Sequence, residues 1–343
     1  MTQRRRTSAA LIATACLAGG VLAMAPAHAA PSPGAGSTGS GSVFMVNPVQ
    51  SSGDQSLTDQ KDAASAVPAS AYATVPLRNL DGSGNLVGKW ANVVSSTGDA
   101  AYSPTNTFTY TRDDDRFEQV MAYFWVNQAQ EYLQSLGFGS TLRPVNAESQ
   151  DVRINQYGVD NSFSWDKKDL LRFGKGGVDD AEDGEVIVHE YGHAVHDAQV
   201  PGFGTSLDAG SIGEAFGDYL SVTVGLDAAR QYGWPVRAPQ PCVADWDSVS
   251  YTSTVPHCLR RLDTSLVLED RKGEVHYDGT IWSGALWDIR QRYVALGLGT
   301  RAWDTTLVDS QFGYAPDTSF SAAAQTTYRT ALARDGRRAA DAV

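Results

Sequence analysis

The chain has 343 residues, of which 42% are hydrophobic and 19% are charged, an ordinary composition for a globular protein. Its formal net charge of −12 argues against nucleic acid or an anionic membrane as a partner. No internal repeat is visible, and beyond the N-terminus no apolar run approaches the length of a membrane span. We expect a monomer that binds no nucleic acid and has no stable association with a membrane.

The N-terminus, residues 1–29, is predicted to be an export signal that is cleaved from the mature chain. Three consecutive arginines are followed by an apolar stretch from residue 9 to 24. Ala-His-Ala at residues 27–29 then supplies the small-residue pattern that a signal peptidase recognises. A short membrane anchor is the alternative, but the stretch is brief and runs into small residues and proline. The arginines fit either general secretion or twin-arginine export.

Export changes the expected charge and the expected cysteine chemistry. The mature chain would carry 24 basic and 39 acidic residues, which favours solubility outside the cell. Cys16 leaves with the signal, so Cys242 and Cys258 remain. In an oxidising compartment we expect this pair to form a disulfide, with two free thiols as the alternative.

A flexible linker is predicted for residues 30–42, which are almost entirely Gly, Ser, Pro and Ala. Short alternating runs broken by turn residues follow, and their pattern indicates antiparallel strands. A long helix with one apolar face comes next, and Gly137 ends it. The predicted strands are residues 72–77, 89–94 and 107–110; the helix begins at the acidic cap 113–115; and a further strand covers 151–155.

The most informative stretch is His189-Glu190-Tyr191-Gly192-His193, within an apolar helical segment. Residues four apart share one face of a helix, so the two imidazoles can bind the same Zn²⁺. Glu190 then lies beside the metal, where a carboxylate can take a proton from water that the metal activates. The alternative is a pair of ordinary surface histidines. Gly192 weakens the helix by about 1 kcal/mol relative to Ala, a cost that packing or function must offset.

A third protein ligand is expected, because catalytic zinc takes three and leaves one position open. Glu214 follows His193 by 21 residues, and on a helix it shares a face with Asp218. We predict that Glu214 binds the metal and that Asp218 accepts a hydrogen bond from a ligand histidine. The alternative is two acids on a solvated helix face, but the apolar residues around them indicate burial.

The pattern His-Glu-x-x-His followed by Gly-Glu-x-x-x-Asp resembles the gluzincins, specifically the thermolysin- and fungalysin-like metallopeptidases. The resemblance extends from about residue 115 to the C-terminus. It implies a two-lobed α+β zincin fold, with a strand-rich N-terminal lobe (43–200) that ends in the zinc helix. A mainly helical C-terminal lobe (201–343) would follow, with the active-site cleft between the lobes.

The resemblance also implies roles for residues outside the metal motif. Asn161 and Ser162 fall where the family's edge strand holds the substrate main chain. His276 falls where a histidine stabilises the oxyanion, and Arg260 falls in a segment with an arginine that contacts the substrate carbonyl. Asp270 is a candidate to orient His276. His196 and His257 are expected to be structural, because a third imidazole on zinc would displace the glutamate ligand.

Two family features are absent or uncertain in this sequence. Thr205 stands where the thermolysin pattern has a tyrosine that helps to bind the oxyanion. His276 would then act alone or with a nearby tyrosine such as Tyr277. The acidic loop 179–183 is a candidate Ca²⁺ site, and a solvated acidic loop is the alternative. The segment before the long helix is also too short for the family's usual long propeptide.

The function predicted from these features is secreted, zinc-dependent endopeptidase activity on proteins or peptides, with one catalytic Zn²⁺. A non-catalytic zinc-binding module is an alternative, but structural sites favour four closed protein ligands, often cysteines. A zinc exopeptidase is a second alternative, and it would need an acidic site that holds a free amine. No such motif stands out in residues 140–180.

Overall fold

The structure is a computed structural model, and it describes residues 36–94 and 97–343. The predicted export signal and the start of the predicted linker lie outside the described residues. The strands are β1 (Ser37–Phe44), β2 (Tyr72–Leu80), β3 (Ala91–Val93), β4 (Thr107–Phe108), β5 (Gln150–Arg153), β6 (Phe163–Trp165), β7 (Leu170–Arg172), β8 (Cys242–Val243) and β9 (Arg260–Arg261). The helices are α1 (Pro48–Ser52), α2 (Arg116–Ser135), α3 (Gly184–Gln199), α4 (Leu207–Tyr232), α5 (Val275–Ala295), α6 (Thr300–Gln311), α7 (Phe320–Arg334) and α8 (Arg337–Ala340).

The sheets combine antiparallel and parallel pairs, so the prediction of antiparallel strands is correct only in part. Strand β1 pairs with β2 in antiparallel orientation and with β4 in parallel orientation. The second sheet has the order β3-β5-β7-β6, with β3, β5 and β7 parallel and β6 antiparallel at the edge. Helix α2 lies between β3 and β5 in the chain, and a crossover of this kind permits parallel pairing.

The linker prediction is wrong for residues 37–42, which form most of β1. Their small residues permit close packing rather than flexibility. A Cβ on Gly41 would lie 2.7 Å from Cγ1 of Val120, and a Cβ on Gly39 would lie 2.2 Å from the carbonyl oxygen of Asn106. Composition alone therefore indicated a tether where the neighbouring helix and strand require glycine.

Helix α2 confirms the long helix predicted after the acidic cap. Its residues from Phe117 to Gln130 are all buried, so it runs through the core rather than along the surface. The apolar core includes its Phe117, Val120 and Trp125. Because the helix is buried all round, the apolar face that the sequence indicates is only part of its packed surface.

The helices after residue 200 pack around the predicted metal motif. Helix α4 contacts both α3 and α5, and this trio carries the three segments that the sequence singles out. The described chain from residue 35 onward forms one compact unit, and its division into two lobes stays a prediction. Among the described residues, no helix has the length and apolar character that crossing a membrane requires.

Candidate metal centre and active site

Helix α3 begins with a firmly held cap that sets the position of the histidine pair. The carboxylate of Asp183 accepts a hydrogen bond from the backbone N of Glu185 at 2.9 Å. It also accepts one from the side chain of Asn47 at 3.1 Å. Two turns further on, His189 and His193 lie on the same face, with ring centroids 5.0 Å apart. The helical spacing predicted from the sequence is thus confirmed.

Glu214 on α4 brings the third predicted ligand to the histidines. Its Oε2 lies 3.2 Å from Nε2 of His189, and its Oε1 lies 3.5 Å from Nε2 of His193. Tetrahedral Zn²⁺ with bonds of about 2.1 Å separates its ligand atoms by about 3.4 Å. The three donor atoms therefore have the spacing and chemistry of a zinc site, with a fourth side left open for substrate.

Two glycines allow α3 and α4 to approach closely enough for this geometry. A Cβ on Gly192 would lie 3.0 Å from the Cα of Gly217, and a Cβ on Gly217 would lie 2.7 Å from Nδ1 of His189. The glycine within the zinc motif is thus explained by helix packing. Its propensity cost is offset by the close contact that places Glu214 opposite both imidazoles.

Asp218 holds His189 from the side opposite Glu214. Its Oδ1 lies 2.9 Å from Nδ1 of His189, which leaves Nε2 directed at Glu214. Burial alone would lower the pKa of His189, but the bonds to Asp218 and Glu214 outweigh it and raise the pKa to about 10 in the metal-free chain. The predicted contact between Asp218 and a ligand histidine is present, and such a contact orients the imidazole.

Arg260 contacts Asp218. Its Nε donates to Oδ2 and its second guanidinium nitrogen donates to Oδ1, both at 2.6 Å. Burial raises the pKa of Asp218, but Arg260 and His189 outweigh it and hold the pKa below the usual range. The pair therefore keeps Asp218 ionised, while Arg260 also lines a pocket beside the metal ligands.

Glu190 is buried beside the candidate metal ligands, and its Oε2 has no hydrogen-bond partner among the described residues. Burial raises the pKa of Glu190 to about 7, while the positive charge of His189 opposes this shift. The side chain lines a cleft of about 390 Å³ together with His189, His193 and Glu214. A carboxylate with an unused oxygen and a pKa near neutrality is suited to accept and return a proton.

His276 lies at the cleft, but its environment differs from the prediction. Helix α5 begins at Val275, so His276 belongs to the first helical turn and not to a loop before the helix. Its Nε2 lies 3.5 Å from Oε2 of Glu214. Its Nδ1 lies 2.6 Å from Oε1 of Glu274, the residue that caps the helix.

The prediction that Asp270 orients His276 is wrong. The Asp270 carboxylate accepts a hydrogen bond from the backbone N of Val267 at 2.9 Å and closes a local turn. Glu274 occupies the orienting position because it caps α5 two residues before His276. A glutamate two residues before the histidine was the signal that could have identified it.

The segment before the edge strand β6 also reaches the cleft. Asn161 and Ser162 line it, in agreement with their predicted position next to an edge strand. Thr205 does not line it, and its backbone N donates to the carbonyl oxygen of Pro316 at 3.0 Å. Tyr277 stacks beneath the ammonium of Lys272, 3.6 Å from the ring centroid. Among the described residues, no tyrosine lines this cleft.

The remaining two histidines of the described chain have structural environments. The ring of His196 stacks on Phe203 at a centroid distance of 4.1 Å, and burial lowers its pKa to about 3. The ring nitrogens of His257 lie 3.1 Å and 2.7 Å from the carbonyl oxygens of Thr252 and Gln55. Neither belongs to the group of metal-ligating atoms around Glu214.

The acidic loop 179–183 is buried, so its interpretation as a solvated loop is wrong. Asp183 caps α3, and Glu182 accepts hydrogen bonds from Arg112, with Nε 3.0 Å from both carboxylate oxygens. Asp180 accepts a hydrogen bond from the hydroxyl of Ser162. Its charge made a solvated loop the alternative to a Ca²⁺ site, but each of these three carboxylates has a partner inside the protein. The predicted disulfide between Cys242 and Cys258 is present.

Comparison with known proteins agrees with this geometry. Residues 156–313 match the family model of the fungalysin metallopeptidases, M36. This region is therefore similar to the fungalysin metallopeptidases. The matched region contains both histidines, Glu190, Glu214 and His276. The suspected family and the prediction of a zinc metalloendopeptidase are thus confirmed.

The fold of this metallopeptidase is similar to that of a solved relative. The precursor of protealysin, a metalloproteinase from Serratia proteamaculans, superposes with a TM-score of 0.52 at 17% sequence identity. The similarity covers 74% of this chain and 82% of protealysin precursor, and it confirms the α+β fold class. No curated protein sequence matches the chain.

Proposed function

We propose that this metallopeptidase is an exported endopeptidase in which His189, His193 and Glu214 hold the catalytic zinc and Glu190 is the general base. The observation that carries the proposal is the convergence of two imidazole nitrogens and one carboxylate within 4.8 Å of one another. The buried Glu190 carboxylate lies in the same cleft with an oxygen free of hydrogen bonds within the described chain. When bound, zinc supplies Lewis acidity, which polarises the scissile carbonyl and acidifies water.

Glu190 would take the proton from the attacking water and pass it to the leaving amine. Both transfers need a group whose pKa lies near the working pH, and burial raises the pKa of Glu190 to about 7. Asp218 keeps the Nε2 atom of His189 directed at the metal position, so the ligand does not need to reorient during turnover.

The other cleft residues would bind the substrate. When its imidazole carries both protons, His276 can donate from Nε2 to the carbonyl oxygen that becomes negative, while its Nδ1 donates to Glu274. Asn161 and Ser162, next to the exposed edge of β6, can hold an extended peptide by its main chain. Arg260, which binds Asp218 and lines the pocket beside the catalytic cleft, would contact the substrate carbonyl.

Export is proposed from the sequence of the first 29 residues and is supported by the disulfide between Cys242 and Cys258. Disulfides persist mainly in oxidising compartments outside the cytosol. The oligomeric state is proposed to be monomeric, and calcium binding by the loop 179–183 has no support beyond its carboxylates.

The deciding experiment is the variant Glu190→Gln, compared with wild type for zinc content and for casein hydrolysis. The amide keeps the volume of the side chain but cannot accept a proton, so we expect full zinc occupancy and a loss of kcat of about 10²- to 10⁴-fold. Glu269→Gln, at an exposed position away from the cleft, is the matched control and should behave like wild type. Near-normal hydrolysis by the Glu190 variant would exclude its role as the base.

A further inference from the structure

A second cavity adjoins the catalytic cleft, and we call it the acidic pocket. It has a volume of about 90 Å³ and shares Asn161, Ser162, Glu190 and His276 with the cleft. Its own lining includes Asp180, Asp247, Val186, Val243, Leu259 and Arg260. A peptide whose scissile bond lies beside Glu190 would therefore direct a neighbouring side chain into this pocket.

Three carboxylates converge at the acidic pocket. One oxygen each of Asp160, Asp180 and Asp247 lies within 4.8 Å of the others. Asp180 is 2% exposed and Asp247 is 4% exposed, and both line the pocket. Buried carboxylates this close together repel one another unless a positive charge lies among them.

The hydrogen bonds within the protein leave two of these carboxylates incompletely satisfied. Asp180 accepts a bond from Ser162, but its Oδ1 has no partner within the described chain. Asp247 has a buried Oδ1 without a partner, and no described residue donates to its side chain. Asp160, by contrast, accepts a hydrogen bond from the hydroxyl of Tyr251 at 2.5 Å. Among the three converging carboxylates, the unused acceptors thus belong to Asp180 and Asp247, which line the pocket.

The charge of Arg260 opposes the rise in the pKa of Asp247, but Arg260 donates no hydrogen bond to the carboxylates of the pocket. It is the one basic side chain besides the histidines in the described lining of the pocket, and both nitrogens that donate are bound to Asp218. Burial raises the pKa of Asp180 to about 8 and raises the pKa of Asp247 well above its usual value. A cation that enters the pocket would return both groups to their ionised form.

A substrate side chain fits this position better than a metal ion. Ca²⁺ needs six to eight oxygen ligands. Ser162 and Tyr251 already use two oxygens of the three carboxylates, so the oxygens that remain are about half of that number. Arg260 in the same wall would also repel a divalent ion. An ammonium or guanidinium group needs only the unused acceptors, and its aliphatic stem can lie against Val186, Val243 and Leu259.

We propose that the acidic pocket selects a lysine or arginine side chain next to the scissile bond, paired with Asp180 and Asp247. This inference rests on the proposed catalytic site beside Glu190. The preference follows from the ion pair, because a neutral side chain would leave both carboxylates buried and unpaired.

The test is digestion of unfolded casein by the zinc-loaded enzyme, with the cleaved bonds identified by mass spectrometry. We expect lysine and arginine to be enriched at one position flanking the cleaved bond. The double variant Asp180→Asn/Asp247→Asn should lower kcat/KM for peptides with a basic residue there by at least about tenfold, while peptides with a neutral residue lose little. Asp166→Asn removes an exposed carboxylate in the wall of the main cleft; it is the control for the loss of an acid outside the acidic pocket and should keep the basic preference.

The outcomes separate this proposal from the proposed function. Absence of chelator-sensitive cleavage would contradict the catalytic assignment itself. Chelator-sensitive cleavage without basic enrichment, or equal losses on basic and neutral peptides in the double variant, would overturn the acidic pocket alone. A Ca²⁺-dependent rise in melting temperature that the double variant loses, with its cleavage pattern unchanged, would assign the carboxylates to a metal ion and would also overturn it.

Discussion

Gly217 on α4 leaves no room for a side chain against His189 on α3, because a Cβ there would lie 2.7 Å from Nδ1 of the imidazole. The contact joins the two helices at the point where one supplies the histidine ligands and the other supplies Glu214. Backbone approach at this glycine therefore controls whether the three donor atoms meet.

The variant Gly217→Ala tests this relationship. The added methyl group must displace the His189 ring and break its bond to Asp218, so we expect zinc affinity to fall by about tenfold or more. Gly213→Ala on the same helix is the matched control, since its Cβ would lie 3.6 Å from Nδ1 of His193, an ordinary contact. Competition with a fluorescent zinc chelator measures both affinities. Equal affinities in the two variants would contradict the proposed packing role.

The candidate metal site could be recognised in the sequence because the spacing that defines it is local. Helical periodicity alone puts His189 and His193 on one face, and puts Glu214 on the same face as Asp218. The meeting of the two helices is not local, but the apolar residues around the acids of the second helix indicated that this face is buried.

Other parts of the site could not be predicted, because they depend on where elements begin or on contacts between distant segments. Glu274, and not Asp270, contacts His276 because of where α5 begins. That start is set by a helix cap and not by apolar spacing. Asp247 reaches the acidic pocket from a segment more than 60 residues beyond Asp180, and no periodicity links the two. Gly41 resembled a linker residue, because the contact that leaves no room for a side chain there is with Val120 on a helix distant in sequence.

Asp218 is predicted to affect the metal through His189 and the protein fold through Arg260. Asp218→Asn should lower zinc affinity by about 10- to 100-fold, because the amide no longer fixes the imidazole as a carboxylate does. It should also destabilise the fold by about 3 kcal/mol or more, because Arg260 keeps a buried charge without its partner. Zinc titration and thermal unfolding measure the two effects separately.

A second substitution separates the two roles of Asp218. Arg260→Met in the Asp218→Asn background removes the unpaired charge, so stability should recover while zinc affinity stays low. Recovery of both properties together would mean that Asp218 acts on the metal only through the fold.

His276 is predicted to act on the transition state without affecting the metal. His276→Ala should lower kcat/KM by about 10²- to 10³-fold, the usual cost of losing one oxyanion donor, with zinc affinity unchanged. Glu274→Gln should cause a smaller loss, because it weakens the hydrogen bond that orients the ring but keeps the helix cap. Asp270→Asn should have no effect on turnover, and a loss comparable to that of the Glu274 variant would restore the orienting role to Asp270.

The stability of the metal-free chain should depend on pH through Asp180. Burial raises its pKa from 3.8 to about 8, with Asp160 and Glu190 adding repulsion and Ser162 opposing the shift. Between these values the folded state binds a proton that the unfolded chain releases, so this group contributes stability at low pH that is lost as the pH rises through about 8. His193 and His196 act in the opposite direction, because burial lowers their pKa values to about 4 and about 3.

The histidines titrate in the unfolded chain near pH 6.5. Burial also raises the pKa of Glu190 to about 7 and that of Asp179 to about 8, so the contribution of Asp180 is isolated by comparing wild type with Asp180→Asn above pH 6.5. Thermal unfolding in the presence of a chelator should show a melting temperature that falls from about pH 6.5 to about pH 9, since each unit of pKa difference is worth about 1.4 kcal/mol. Asp180→Asn carries no titrating proton there, so its curve should be flatter and should lie above that of wild type at the alkaline end. Parallel curves would mean that Asp180 is already ionised in the folded chain. That outcome would contradict the prediction, because it requires a counter-charge that the buried surroundings of the carboxylate do not provide.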